Sequence, residues 1–461
     1  MAESKKYGMN TRAIHTQKKF ELPTGDVMPP IHLSTTYENT VPGESEYFYG
    51  RVSNPTREIF ERTISSLEGN ENYEELPGLA MASGMAAVSL IGELIKPDEN
   101  VVITKDVYGG TTNFFATIAR KRGLEVHFCD MYDTEKLETL INKKTKLVWI
   151  ESPSNPNMNI YDLKKISEIT HKEEALLVAD STFCTPFITR PFEHGIDIIM
   201  HSTTKYIGGH SDTLGGVVVT NNQEVYETLY EYQKTSGGIM SPFDAYLCQR
   251  GLYTLGPRIE LHSKNAHQLS EYLANSEYIK EVKYPGLPES HNHDVAVKQM
   301  DYFGGMLSFF LEDSINESKF WEELDLYKLA VSLGGVETLI EVPYLMTHEK
   351  VTGLDGEIIN NAPDGLIRIS VGIENIEDLI EDMDSAKRYV AEYFKVKPQF
   401  VGTLGEPFFQ HPLRTAISLA EMKLDATCIA GALLHDVIED CDISLNELDE
   451  RFGSEVCGLV D

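Results

Sequence analysis

From residue 58 onwards, short apolar runs alternate with stretches whose apolar positions recur every three to four residues. The runs cover residues 101–104, 146–150, 175–179, 196–200 and 216–220. Helical patterns lie between several of them, among them 111–122 and 163–172. Short apolar strands separated by helices predict a mostly parallel sheet covered on both faces. The expected result is an α/β domain of roughly 200 residues. Beyond Pro257 the pattern changes. Long helical stretches at 258–274 and 376–394 flank strand-like pieces at 306–311 and 365–371, which predicts a second, smaller α+β domain. Residues 1–57, rich in Pro, Thr, Tyr and Gly, read as an arm that packs on something else. The expected division is an arm at 1–57, a large domain at 58–256, a small domain at 257–396 and a helical tail at 397–461. Lys395-Val396-Lys397-Pro398 marks the last boundary.

Composition narrows the class of partner. The 461 residues carry 40 basic and 72 acidic side chains, a net charge of -32. Such a field repels phosphate backbones and anionic lipid, so neither nucleic acid nor membrane is expected as the main partner. A local basic cluster still allows a small anionic ligand. The six cysteines include no CxxC pair and are scattered along the chain, as expected of reduced thiols. No apolar leader precedes the arm and no run of about 18 apolar residues occurs. The expected location is the cytoplasm.

Three apolar runs end in polar clusters. The run at 147–150 leads into Glu151-Ser152-Pro153-Ser154-Asn155-Pro156. The run at 176–179 leads into Asp180-Ser181-Thr182. The third leads into His201-Ser202-Thr203-Thr204-Lys205-Tyr206. Open α/β sheets bind ligands at the carboxyl ends of their strands, so three polar tips there point to one site. Lys205, just after a buried strand, is placed to lose its proton through desolvation and attack a carbonyl. Ser202 and Thr204 can donate to a phosphate. Asp180 can keep a pyridine nitrogen protonated and so make the ring an electron sink. Asn155 can bond the ring's phenolic oxygen. Ser83-Gly84-Met85 opens an apolar helix whose free N–H groups suit a phosphate. Tyr108 can stack on the ring. Singly, each has a plainer reading: a loop lysine, an N-capping acid, an ordinary helix cap. Together at one sheet edge they favour a pyridoxal-5′-phosphate (PLP) site.

Seven segments occur in order: Tyr49-Gly50-Arg51-Val52-Ser53-Asn54-Pro55-Thr56-Arg57, Ser83-Gly84-Met85, Tyr108-Gly109-Gly110-Thr111, residues 151–156, residues 201–210, Ser241-Pro242-Phe243-Asp244-Ala245-Tyr246 and Ser332-Leu333-Gly334-Gly335-Val336-Glu337. Over residues 8–395 the chain resembles the Cys/Met-metabolism PLP family of cystathionine γ-synthases, cystathionine γ-lyases, methionine γ-lyases and O-acylhomoserine sulfhydrylases. The resemblance implies PLP-dependent transferase fold type I, with an aspartate aminotransferase-like large domain. It implies Lys205 as the Schiff-base lysine and as general base and acid, with Tyr108 assisting proton transfer. Tyr49 and Arg51 would reach the phosphate of a partner subunit's cofactor. Arg368 would clamp the substrate α-carboxylate beside Ser332. A homotetramer, a dimer of dimers, is the implied assembly, and an amino acid the implied substrate.

The subtype is less determined. Gly110 stands where methionine γ-lyases carry a cysteine. Asn113 stands near an arginine that cystathionine-handling members use for the distal carboxylate, and Ser181 replaces an asparagine. Glu341 resembles the glutamate that γ-lyases carry near the substrate, or is an ordinary surface acid. The expected activity is γ-elimination or γ-replacement on a sulfur-containing or homoserine-derived amino acid. Sulfhydrylase and methionine γ-lyase activities are the alternatives.

The tail resembles the start of the HD hydrolase domain of the alarmone (ppGpp) synthetase/hydrolase family. In that resemblance His411, His435 and Asp436 would bind a divalent metal, Mn²⁺, which such ligands suit, with Glu439 and Asp440 positioning water or substrate; in this tail a bound metal is not expected. The sequence stops before the last metal-ligand aspartate of that family. The expectation is therefore a partial all-α HD segment with an incomplete metal set. A regulatory module that binds nucleotide through this tail is the competing class of function. A catalytically silent homologue is a third, disfavoured because Lys205, Asp180, Tyr108 and Arg368 are all present.

Overall fold

A computed structural model of the chain describes residues 7–16, 25–39, 41–42, 44–313, 315, 317–347, 351–352, 358–360, 362–393, 416, 426–434, 452 and 454–460. Seven strands build the main sheet: β1 (Leu79–Met81), β2 (Asn100–Thr104), β3 (Glu125–Cys129), β4 (Thr145–Glu151), β5 (Leu176–Asp180), β6 (Ile198–Ser202) and β7 (Gly216–Thr220). Their order is β1-β7-β6-β5-β4-β2-β3. Strands β3, β2, β4, β5 and β6 run parallel, and β7 is antiparallel to both of its neighbours. The fold is thus the α/β arrangement that the apolar runs predict.

Successive residues of a strand point to opposite faces, and this sheet buries both. Val102, Val148, Leu177 and Ile199 join one core cluster. Val101, Leu147, Val178 and Ile198 join the other. Because both faces are covered, the strands read as continuous Val/Ile/Leu runs with no polar alternation. The parallel strands β4, β5 and β6 end at Glu151, Asp180 and Ser202, so these three polar tips share one edge.

The helices begin where local chemistry allows. Helix α1 (Met9–His15) lies inside the arm, which the sequence pattern leaves irregular. Ala13 is buried, and Arg12 donates to the Ser66 carbonyl. Helix α2 (Pro55–Leu67) starts with Pro at its first position. Asn54 caps it, accepting from the Thr56 and Arg57 amides at 3.0 and 3.1 Å. Helix α3 (Gly84–Gly92) is capped by Ser83, whose hydroxyl accepts from the Ala86 amide. The pattern at 111–122 predicts one α-helix. Instead α4 (Gly109–Asn113) passes into a π-helical stretch at Phe114–Ala119. A period of 3.6 does not register the wider π turn.

A second sheet comprises β8 (Ile279–Lys283), β9 (Met306–Leu311), β10 (Lys328–Leu329), β11 (Leu339–Glu341) and, after a two-stranded pair β12 (Val351–Thr352) and β13 (Ile358–Asn360), β14 (Leu366–Ser370). Its order is β10-β11-β14-β9-β8, antiparallel except for β10 with β11. The flanking helices span Leu255–Ala274 and Ile376–Tyr393. The chain divides into two compact units, one of Met1–Glu312 with Phe320–Arg388 and the other of Asp313–Lys319 with Tyr389–Asp461. In the second, helices Ala426–Leu434 and Ser454–Val460 meet where Gly431 faces Leu459. His411, His435, Asp436, Glu439 and Asp440 lie outside the described residues. No helix among the described residues is long and apolar enough to cross a membrane.

On the face of β6 opposite Ser202, His201 Nε2 meets Glu68 Oε1 at 2.5 Å, with both side chains fully buried. Removing one member of a buried pair strands the other without solvent. Glu68→Ala is expected to lower stability by about 3–5 kcal/mol, read from urea-induced unfolding, and Glu68→Gln by less.

Candidate active site

The edge formed by Glu151, Asp180 and Ser202 floors a cavity of about 280 Å³. Eleven of the residues singled out from the sequence line it: Ser83, Gly84, Met85, Tyr108, Asn155, Asp180, Ser202, Thr204, Lys205, Ser332 and Arg368. They come from the loops after β2, β4, β6 and β10, from the start of α3, from the ends of β5 and β6, and from β14. Tyr49, Arg51, Asn113 and Glu341 are not in the lining. Arg51 instead donates to the Lys234 carbonyl and lies over the Tyr49 ring, with Tyr49 40% exposed. Asn113 is exposed and accepts from Thr117.

Lys205 follows the turn after β6, and its Nζ donates to Ser332 Oγ at 2.8 Å. Burial pushes its amine down to about 8; nearby Arg368 acts in the same direction and Glu341 opposes it. Near neutral pH the neutral amine is therefore far more populated than in an ordinary lysine, as a nucleophilic lysine requires. Ser332 has φ of 101°, a region costly for a side chain other than glycine. Its neighbours hold it there. The Ser332 carbonyl accepts from Arg368 Nη2 at 2.9 Å while its hydroxyl takes the lysine.

Arg368 is the most constrained cation of the site. Nη1 donates to Asn155 Oδ1 at 2.7 Å, and Nη2 pairs with Glu341 Oε1 at 3.0 Å. Glu341 stands directly opposite Arg368 across the β11–β14 pair, and also accepts from Thr347 Oγ1 at 2.8 Å. Glu341 is thus a buried partner of the arginine and not a surface acid. Arg368 Nε is buried without a hydrogen-bond partner, a donor left for a ligand.

The floor is acidic. Asp180 Oδ1 accepts from Thr182 N at 3.0 Å and from Thr182 Oγ1 at 2.5 Å. Glu151, its register neighbour on β4, accepts from the Tyr108 amide at 3.1 Å. Burial raises both carboxyls, Glu151 well above the usual carboxylate range, where the charge of Asp180 adds to the effect. Two buried carboxyls side by side favour a cation above them. Thr182 also accepts from the Ser202 amide at 2.9 Å, linking β5 to β6. The sequence reading gave no role to Glu151 or Thr182. Their signal is positional: Glu151 ends the same apolar run that leads to Asn155, and Thr182 lies two residues past Asp180.

These features fit PLP. Lys205 would supply an amine of lowered basicity for the aldehyde, and Asp180 a buried carboxyl for the ring nitrogen. The N-terminus of α3 offers backbone N–H groups for the phosphate. Gly84 makes that approach possible, because a Cβ there would lie 2.9 Å from Ser202 Cβ and 3.0 Å from its hydroxyl. The Asn155 oxygen is taken by Arg368, which leaves its Nδ2 hydrogens for another acceptor.

Comparison with known proteins agrees. The family model for Cys/Met metabolism PLP-dependent enzymes matches residues 10–387, and an HD domain model matches residues 386–461. Cystathionine beta-lyase of Coxiella burnetii is 45% identical over 387 residues, covering 83% of this chain and 98% of the relative. Cystathionine gamma-lyase of Dictyostelium discoideum is 42% identical over 389 residues, covering 84% and 99%. Among solved structures, cystathionine gamma synthase of Xanthomonas oryzae pv. oryzae in complex with cystathionine superimposes with a TM-score of 0.79 at 36% identity, covering 84% of this chain and 99% of that one. A cavity with this lysine, arginine and pair of carboxyls, in a chain that matches such relatives over 98–99% of their own length, makes the protein a member of the Cys/Met metabolism PLP-dependent enzyme family, a transsulfuration enzyme carrying a C-terminal HD domain.

Proposed function

We propose that the protein is a carbon–sulfur lyase that cleaves cystathionine at its Cγ–S bond. The observation that supports a lyase best is Lys205 Nζ, poised 2.8 Å from Ser332 Oγ and in the field of Arg368, in the cavity; the Cγ–S position is supported by the 42% identity to a cystathionine gamma-lyase. PLP, when bound, supplies an electron sink for the pair left on the substrate carbon after proton removal. The chain's own residues do the rest. Arg368 takes the substrate α-carboxylate, offering its free Nε, while Glu341 and Asn155 keep the guanidinium plane fixed. Lys205 removes the α-proton and moves protons between adjacent carbons, with Ser332 holding its amine in range. Burial raises the Tyr108 phenol above its ordinary value, so it stays protonated and can donate to the departing sulfur. Tyr49 and Arg51 complete the phosphate site of a partner subunit in a dimer of dimers.

A second reading, cleavage at Cβ–S, is favoured by the 45% identity to a cystathionine beta-lyase. Products separate the two. With L-cystathionine the γ-lyase releases 2-oxobutanoate, cysteine and ammonia; the β-lyase releases pyruvate, homocysteine and ammonia. We expect 2-oxobutanoate to predominate, and Lys205→Ala to reduce its formation by about 10²–10⁴-fold. Release of neither oxo acid would refute the lyase assignment.

The lysine also sets a pH dependence in the cofactor-free protein. Labelling of Lys205 by an amine-directed reagent should rise with pH through a midpoint of about 8. Arg368→Gln removes a positive neighbour and leaves Glu341, so the midpoint should move upward. An unchanged or lower midpoint would contradict this action of Arg368 on the amine.

A further inference from the structure

We propose that Asp106 is a positioning residue for the reaction, the knot that ties the Tyr108 loop to the loop carrying Asn155. Asp106 lies between the end of β2 and Tyr108 and does not line the cavity. Its carboxylate accepts from three side chains of one neighbouring loop. Ser154 Oγ and Asn159 Nδ2 donate to Oδ2, the latter at 2.7 Å, and Asn157 Nδ2 donates to Oδ1 at 2.9 Å. These three donors bracket Asn155 and Pro156.

The loop is held from its other side as well. Ser308 Oγ of β9 donates to the Pro156 carbonyl at 2.7 Å, and Lys283 Nζ of β8 donates to Asn157 Oδ1 at 3.2 Å. Asn155, in the middle, accepts from Arg368 of β14. Both sheets therefore grip this loop, and Asp106 is the grip on the side of the main sheet. The Tyr108 amide donates to Glu151, at the start of the same loop. Tyr108 and Asn155 are thus fixed to each other by two short connections, one through Asp106 and one through Glu151. Burial raises the Asp106 carboxyl, while its three donors and Lys283 pull it back towards the ionised form, in which each bond is charge-assisted and about twice as strong as a neutral one. Asparagine fills the same volume but keeps a single acceptor oxygen. Loss of the knot should let Asn155 and Tyr108 drift. A misplacement of about 1 Å at reacting groups can cost on the order of a hundredfold in rate.

The inference rests on the PLP-lyase reading for its kinetic readout, and a spectroscopic readout keeps the two separable. The test compares PLP-loaded wild type with Asp106→Asn, Asp106→Ala, Ser154→Ala and Asn159→Ala. Visible circular dichroism of the bound cofactor, kcat and KM for L-cystathionine, and thermal unfolding are measured. Asp106→Asn and Asp106→Ala are expected to bind PLP but change the amplitude of the cofactor's dichroic band. Their kcat should fall about ten- to a hundredfold, more than any change in KM. Ser154→Ala and Asn159→Ala each cut one strand of the knot and should move the band and kcat in the same direction by less. If Asp106→Ala does not fold, these two variants carry the test. A native band and a native kcat in the variants that fold, with only a lower melting temperature, would overturn the proposal. If wild type itself releases no oxo acid, the lyase reading fails, and the dichroic band alone decides the role of Asp106.

Discussion

Arg368 is only 3% exposed, and a cation so placed must be matched on every side or it destabilises the fold. The molecule matches it with three segments far apart in sequence. Glu341 faces it across the β11–β14 pair, Ser332 offers a carbonyl, and Asn155 brings its amide oxygen from the loop after β4. The second sheet and the main sheet thereby meet at one guanidinium. Lys205 depends on it too. Its amine reaches Ser332, the residue that Arg368 helps to hold at positive φ, and the arginine's charge helps keep that amine partly neutral. Lys205 and Arg368 are therefore one electrostatic unit.

A second constraint comes from the sheet. Parallel strands bring their carboxyl ends to one edge, where Glu151 and Asp180 lie side by side and Ser202 two residues past Met200, the partner of Asp180. Burying two carboxyls together is costly unless a cation joins them. Thr182 offsets part of that cost through its bonds to Asp180. The rest fits the protonated ring nitrogen of the cofactor that the family uses.

Much of this was legible in the sequence because the residues involved end apolar runs. Asn155, Asp180 and Lys205 each follow such a run, so their shared edge could be expected before any coordinates. Ser83 and Gly84 were legible as a helix start. Glu341 was not, because its meaning lies in its register against Arg368, 27 positions later, and register is a tertiary property. Asp106 was invisible for a similar reason: its three donors sit about fifty residues away in a polar loop. The π-helical stretch after α4 was also missed, since side-chain periodicity barely records one widened turn. The HD-type histidines and acids were legible as a motif and lie outside the described residues.

The central claim is that Lys205 is the residue that carries the cofactor. Reducing the PLP-loaded protein with borohydride fixes the cofactor to the amine that holds it, and peptide mass spectrometry then locates it. The account predicts a pyridoxyl-phosphate adduct on the peptide containing Lys205. An adduct on another lysine, with the Lys205 peptide unmodified, would contradict it.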